Sequence, residues 1–417
     1  MTRCCMIVAN SFTHDSRVQK EADTLIDRGW RVTVVATAQP GLPRIAHDSR
    51  LRVIRVPRDP LLVTVIKQLL AHRGLGLRAT GDARPVSFPP SRDVGGPELA
   101  ARRVLEALAH ARFWRRAAIA AARSRPDLVV AHDLDALPAG WAAARWRKAP
   151  LVYDSHELWL EMPPQLPRSE RARRRWGRAE RVLARSADRV VTVNDSIANE
   201  LQRRYGIDPP LVVRNVPVRM TEASAPGDGL RARLGTDRDT AIVLYVGGIQ
   251  PGRGLEQLVQ AVRKLAGVML VLVGPGEAAY VGSLVAAGIP GWVRALPPVP
   301  SQEVGILAAE ADVGVVPYRN LSLNHYLSLP TKLFEYLAAG LPVVCGDFPE
   351  LRRIVLGCRV GCTCDTDDPE AVAAAIQQVL AQRDEMRARA ARAGEQLTWE
   401  GEGVRYAEAL ERLVSSR

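Results

Sequence analysis

The chain has 417 residues, 47% of them hydrophobic and 24% charged, too many for one ordinary core and enough for two domains of about 200 residues each. No apolar run reaches the ~18 residues of a membrane span, and the first residues pass straight into a strand without a signal-peptide core, so the expected location is cytoplasmic, with a peripheral seat on the inner face of the cell membrane as a further expectation. A formal net charge of +12 favours anionic partners such as nucleotide diphosphates or anionic lipid, whereas nucleic acid is not expected, because only 5% of residues are aromatic and no basic stretch is interleaved with stacking rings.

Short β-branched runs alternate with amphipathic helices from one end to the other, the pattern of doubly wound parallel α/β sheets. In the first half, strands are predicted over residues 5–9, 32–36, 128–131, 151–153 and 190–193. Asn10, His14 and Arg17 follow the first strand and are expected to face an interdomain cleft, with Asp15 and Ser16 as candidate helix N-caps. Residues 74–97, rich in Gly, Pro, Arg and Ser, read as a mobile insertion spanning about 58–100. His132 and Asp133 then end one strand, and Asp154, His156 and Glu157 end the next. A lone histidine usually packs or faces solvent, but several titratable groups at neighbouring strand ends mark a crevice, here a candidate acceptor site. Nine arginines lie between positions 168 and 189 on a helix whose Trp176, Ala179, Val182 and Leu183 are predicted to share one face. Such a basic amphipathic helix suits an anionic lipid surface, and equally a solvated helix packed on its own sheet. A second basic patch, Arg102, Arg103, Arg112, Arg115 and Arg116 with Phe113 and Trp114, leans toward the lipid reading. The polar residues 219–229 read as the interdomain linker.

In the second half, strands are predicted over residues 242–246, 268–273, 313–317 and 342–346. Gly247, Gly248 and Arg253 lie on a loop that leaves one strand and opens a helix striped by Leu255, Leu258, Val259, Val262 and Leu265. Glycines there let backbone approach a diphosphate, the helix start adds partial positive charge, and Arg253 can clamp phosphate oxygens. Gly274 and Gly276 end the next strand in a tight turn, and Glu277 reads as a cap or solvated residue. After Leu329 and Pro330 comes a short helix bearing Lys332 and Glu335. Pro330 presets its first turn, the backbone N–H groups of residues 331–334 are left for an anion, and Glu335 is placed to accept from a ribose diol. The six cysteines, Cys4, Cys5, Cys345, Cys358, Cys362 and Cys364, suggest neither a disulfide framework nor a zinc site, since the last three lack a convincing fourth ligand. One long Ala/Arg-rich helix from about residue 368 to Gly394 and a final amphipathic helix complete the chain.

The segment from Ser328 to Val344, with Lys332 and Glu335, closely resembles the C-terminal signature of GT-B glycosyltransferases of the large retaining family 4. The resemblance implies two Rossmann-like domains with an interdomain cleft, residues 1–218 binding acceptor, 229–395 binding nucleotide-sugar, and 396–417 crossing back to the first domain. It implies transfer with retention from a nucleotide-sugar donor to a glycan, lipid-linked or small-molecule acceptor, with no metal and no other cofactor. His132 resembles a histidine beside the sugar, while Arg253 and Lys332 would stabilise the departing diphosphate; these three are the catalytic candidates. Residues 296–300, with Pro298, resemble the segment covering the base, and residues 316–318 the strand end that enters the active-site loop. Family resemblance also puts Asn10, His14 and Arg17 near the acceptor and the donor phosphates. Two departures stand out: Gly248 replaces the usual first-loop arginine, and Leu327 replaces the first glutamate of the family's carboxylate pair. Asn324 and His325, on the same loop as Leu327, can supply polar contacts to sugar hydroxyls. Rival readings are a non-catalytic nucleotide-sugar-binding partner subunit, motivated by Leu327, and a GT-B-fold sugar-nucleotide epimerase or phosphorylase.

Overall fold

Runs of Val, Leu and Ile too uniformly apolar for a one-sided sheet form the strands of the computed structural model, as parallel strands covered on both faces require. The structure describes residues 1–13, 15–58, 97–162, 170–219, 229–237 and 239–416; most of the expected insertion, most of the expected linker and His14 lie outside them. The chain divides into two units, one running to Arg214 and resuming at Glu402, the other Asn215–Gly401.

The first unit carries an eight-stranded sheet: β1 (Arg3–Ile7), β2 (Arg31–Thr37), β3 (Ile45–Asp48), β4 (Leu51–Val56), β5 (Leu128–His132), β6 (Leu151–Ser155), β7 (Arg189–Thr192) and β8 (Leu211–Val212). Their order is β3-β4-β2-β1-β5-β6-β7-β8, and every pairing is parallel except β3 with β4. The sequence pattern missed β3, β4 and β8, an edge hairpin and a two-residue edge strand that carry little uniform apolar signal. Chain order reverses where β1 lies beside β5, and the carboxyl ends of strands at such a reversal open a crevice. The helix Ser16–Asp27 leaves β1 there, capped by the Asp15 carboxylate, which accepts from Val18 N at 3.2 Å. The closing helix, Trp399–Ser415, contributes Glu402 and Glu411 to this unit, pairing with Arg214 at 3.1 Å and Arg28 at 3.2 Å.

The second unit carries six parallel strands: β9 (Ala241–Val246), β10 (Val268–Val273), β11 (Val293–Leu296), β12 (Val313–Val316), β13 (Val343–Gly346) and β14 (Gly361–Cys364). Their order, β11-β10-β9-β12-β13-β14, reverses between β9 and β12. The expected stripe Leu255, Leu258, Val259, Val262 and Leu265 packs into the core against β9 and β10, each fully buried side chain contributing about 1.5–3 kcal/mol. The single long helix expected near the C-terminus is two helices, Pro369–Ala381 and Arg383–Gln396, broken at Gln382. Arg383 turns back there to pair with Asp312 at 2.8 Å, a tertiary contact that a helical repeat cannot reveal.

Candidate functional site

In the second unit the reversal point gathers two cations onto aromatic rings. Lys332 comes from the helix Thr331–Ala338, is 7% exposed, and sets Nζ 3.8 Å from the centre of the Tyr245 ring at the end of β9. It lies 5.3 Å from the ring of Tyr318, just past β12, and the Arg253 guanidinium lies 4.8 Å from the same ring. Turned with its amide oxygen toward Arg253, Gln250 accepts from Nε and Nη2 at 3.1 Å each. Burial, and then Arg253, push Lys332 well below the ordinary lysine range, and Glu335 does not offset them. A buried lysine held off its charged form by desolvation and a neighbouring cation can regain that charge only where an anion supplies the complement.

Two glycines leave room for that arrangement. At Gly247, φ is +131°, and a Cβ would sit 2.9 Å from Lys332 Nζ; at Gly274, φ is +147°, and a Cβ would sit 2.0 Å from the Gly247 carbonyl oxygen. The two loops are stitched by Gly247 N donating to Val273 O at 2.9 Å and by the bridge between Ile249 and Gly276. Gly248 O accepts from the Tyr245 hydroxyl at 2.8 Å, which fixes the ring beneath Lys332. Of the four N–H groups expected free at the helix start, that of Leu333 is paired with Pro330 O at 3.1 Å, because Pro330 is the N-cap rather than the first helical residue. Leu329 is buried, Glu335 half-buried and Pro298 exposed beyond β11. On the short helix Leu323–Leu327, Asn324 is buried, whereas His325 sits 6.1 Å from Tyr318 with Nδ1 lacking a hydrogen-bond partner. Burial and Arg253 lower the His325 pKa, so its ring is neutral and able to accept or donate.

The first unit presents a different cluster at its own reversal point. Arg17 was expected to face a cleft but is 2% exposed, donating to Asp154 Oδ1 at 3.0 Å and to the Val213 carbonyl at 2.7 Å, with Glu21 Oε1 3.0 Å away. It is a buried clamp because its helix face is turned into the protein: Arg17, Val18, Glu21, Ala22 and Leu25 all lie inside. His132, ending β5, and His156, just past β6, bring Nδ1 and Nε2 within 3.2 Å of each other. Asp154 lies 3.5 Å from the first and 3.3 Å from the second. His156 also has Asp133 Oδ2 3.5 Å from its Nδ1, and its backbone N–H donates to Asp133 Oδ1 at 2.9 Å. Asp133 holds φ at +62°, a strained backbone at the junction of strand and helix.

Burial opposes ionisation throughout this cluster, and the outcome depends on partners. Against burial, Arg17, His156 and hydrogen bonds from both histidines hold Asp154 well below the carboxylate range. Burial and the Asp154 charge push Glu21 up, while burial lowers His132 against the pull of Asp154. His156 rises to about 10, since Asp133 and Asp154 outweigh its desolvation, and burial raises Asp133 to about 7. Asn10 is exposed and closes its own loop, donating to Asp15 Oδ2 at 2.7 Å and accepting from Phe12 N at 2.8 Å. Glu157 is half-buried and close enough to raise Asp133.

Sequence reasoning missed Glu21, Tyr245, Tyr318 and Gln250. For Glu21 a signal existed, a charge four residues after Arg17 on an otherwise apolar stripe; the tyrosines carry no local mark.

The basic helix, Glu170–Arg185, turns a face other than the expected one to the protein. Glu180 is buried, accepting from the hydroxyls of Tyr153 at 2.8 Å and Tyr205 at 2.6 Å, and this rotates Val182 out to 67% exposure. Trp176 packs on Trp159 and Trp114, with ring centres 5.2 and 5.8 Å apart. Phe113 is 1% exposed and the Trp114 indole donates to Asp135 O at 2.6 Å, so the aromatics of the second basic patch are packing residues. No helix among the described residues is long and apolar enough to cross a membrane.

Comparison with known proteins matches both halves. The family described as Glycosyltransferase Family 4 matches residues 77–216, and the family described as Glycosyl transferases group 1 matches residues 240–382. A D-inositol 3-phosphate glycosyltransferase of Kineococcus radiotolerans is 32% identical over 323 residues, covering 70% of this chain and 72% of the relative. The protein of the same name from Geodermatophilus obscurus is 30% identical over 294 residues, 66% of this chain and 64% of that one. Among solved structures, sucrose-phosphate synthase from Thermosynechococcus elongatus superposes with a TM-score of 0.74 at 17% identity, over 100% of both chains. Anabaena Alr3699/HepE in complex with UDP gives 0.66 at 15% identity, again over 100% of both. These last two likenesses speak to fold, the relatives to descent. By these matches the chain belongs to the group 1 glycosyltransferases of family 4 and has the GT-B fold.

Proposed function

We propose that the protein transfers a glycosyl group, with retention of anomeric configuration, from a nucleotide-sugar held by the second unit to a hydroxyl of an acceptor held by the first. The observation that carries this reading is the pairing of Lys332 and Arg253 against one tyrosine ring beside Gly247. Breaking the bond between the anomeric carbon and the diphosphate puts negative charge on the leaving oxygen, where these two cations and the loop amides act; the donor half draws no charge from a metal in this scheme. Support for the donor comes from the Anabaena protein, solved with UDP and with UDP-glucose. Glycan, lipid-linked and small-molecule acceptors all fit the reading, and the name of the relatives makes an inositol phosphate the first to assay. The exposed arginines and Val182 of Glu170–Arg185 would rest on anionic lipid, so binding to phosphatidylglycerol vesicles should fall with salt.

The test is incubation of the full chain with UDP-, GDP-, ADP- and TDP-sugars and candidate acceptors, with the product's anomeric configuration read by NMR. Donor-dependent glycosylation with retention is expected. Binding without transfer would favour a partner subunit, and conversion of donor alone would favour an epimerase.

A further inference from the structure

Three ligand atoms in the first unit form a nearly equilateral triangle. His132 Nδ1 to His156 Nε2 is 3.2 Å, His156 Nε2 to Asp154 Oδ2 is 3.3 Å, and His132 Nδ1 to Asp154 Oδ2 is 3.5 Å. A tetrahedral ion at ~2.0–2.1 Å from nitrogen and oxygen ligands holds them about 3.3–3.4 Å apart, which is the size of this triangle. A second carboxylate stands by: Glu21 is fully buried, with Oε2 3.8 Å from His132 Nδ1 and Oε1 3.0 Å from Arg17 Nε.

The surroundings are those of a metal site as well. His156 turns its other ring nitrogen to the Asp133 carboxylate, 3.5 Å away, the outer-shell contact that orients ligating histidines. Arg17 holds the Asp154 carboxylate in place. His132 Nε2 has no partner, so every polar contact of that ring is made through Nδ1.

We propose that this cluster binds one divalent first-row transition-metal ion through His132 Nδ1, His156 Nε2 and Asp154 Oδ2. Two imidazoles with a carboxylate select Zn²⁺, Co²⁺, Mn²⁺ or Fe²⁺ over Mg²⁺ and Ca²⁺, which prefer all-oxygen sites. The ion lies in the first unit and fixes the carboxyl ends of β5 and β6. The competing arrangement is a proton shared by the two rings, with no affinity for metal.

The experiment uses tag-free full-length protein, stripped with chelator and titrated with Co²⁺ and then Zn²⁺ in excess Mg²⁺. One Co²⁺ per chain with the intense visible bands of four-coordinate cobalt, bleached by stoichiometric Zn²⁺, is the expected result. His156→Gln should weaken binding by at least about tenfold, and Glu21→Gln should alter the cobalt spectrum; far-UV melts confirm that each variant folds. Absence of saturable one-to-one binding in the wild type, or binding of an adventitious ion only, indifferent to His156→Gln, would overturn the proposal. Nucleoside diphosphate binding, measured in parallel in chelator, reports on the second unit separately, so the two readings fail independently.

Discussion

Both units assemble their ionisable groups at the reversal point of a parallel sheet, yet the first matches charge with charge while the second sets cations against rings. Arg17, 2% exposed, is held by Asp154, 0% exposed, so the desolvation of each is offset from within the chain. Lys332, 7% exposed, has tyrosine faces for neighbours and loses its affinity for a proton. A buried charge with its complement in the same core anchors a fold. A lysine buried on aromatic rings beside glycine backbone, its desolvation not offset from within the chain, is where our proposal places the anion, because the complement must come from outside.

The comparison breaks most visibly at Asp154. Asp154→Ala leaves Arg17 buried without its main partner and should cost about 3–5 kcal/mol, read as a fall of roughly 6–20 °C in the melting of the first unit. The opposite sign is expected in the second unit. Lys332→Met removes a cation disfavoured by its surroundings and should raise the Tm of the ligand-free protein by about 2–4 °C, the equivalent of ~1 kcal/mol. Because the folded pKa of Lys332 lies below the ordinary 10.5, the unfolded chain binds the extra proton in the window between them. Native stability therefore rises with pH across that window, and the advantage of Lys332→Met should shrink as pH climbs toward 10.5; melts of both proteins from neutral to alkaline pH decide this.

Gly247→Ala sharpens the contrast, since the added Cβ at 2.9 Å displaces Lys332 Nζ and φ is +131°. Nucleotide affinity should drop about 10–100-fold, that is ~1.4–2.7 kcal/mol, measured by calorimetry at a temperature where the variant is still folded, since the strained backbone also costs about 1–3 kcal/mol of stability. An effect confined to turnover is expected at His325, which lies beside Tyr318 and in the field of Arg253 on the loop where Leu327 replaces the family's carboxylate. His325→Ala should lower kcat/KM about tenfold, ~1.4 kcal/mol of transition-state stabilisation, while leaving nucleoside diphosphate binding close to wild type.

The parts of this picture that were legible in the sequence carry local signatures. Apolar runs marked nine strands, and the glycine loops and Lys332 announce themselves because a turn, a positive φ and a helix start all depend on neighbouring residues. Arg17 was visible but misread, since nothing local distinguishes a cation in a crevice from one clamped by Asp154, 137 residues away. Tyr245 and Tyr318 become a cation platform only when β9 and β12 pair side by side. The face of Glu170–Arg185 was misassigned for the same reason: Glu180 goes inside because two tyrosine hydroxyls await it, a preference that hydrophobic periodicity ranks the wrong way round.

Calorimetric titration of the ligand-free protein with UDP, GDP and ADP, in buffers of differing ionisation enthalpy, tests most directly whether the second unit is a diphosphate site. One of the three should bind one-to-one and draw a proton onto Lys332 at a pH above its depressed pKa, with binding weakened in Arg253→Gln and lost in Lys332→Met. Equal binding by wild type and Lys332→Met, or heat from none of the nucleotides, would contradict the account.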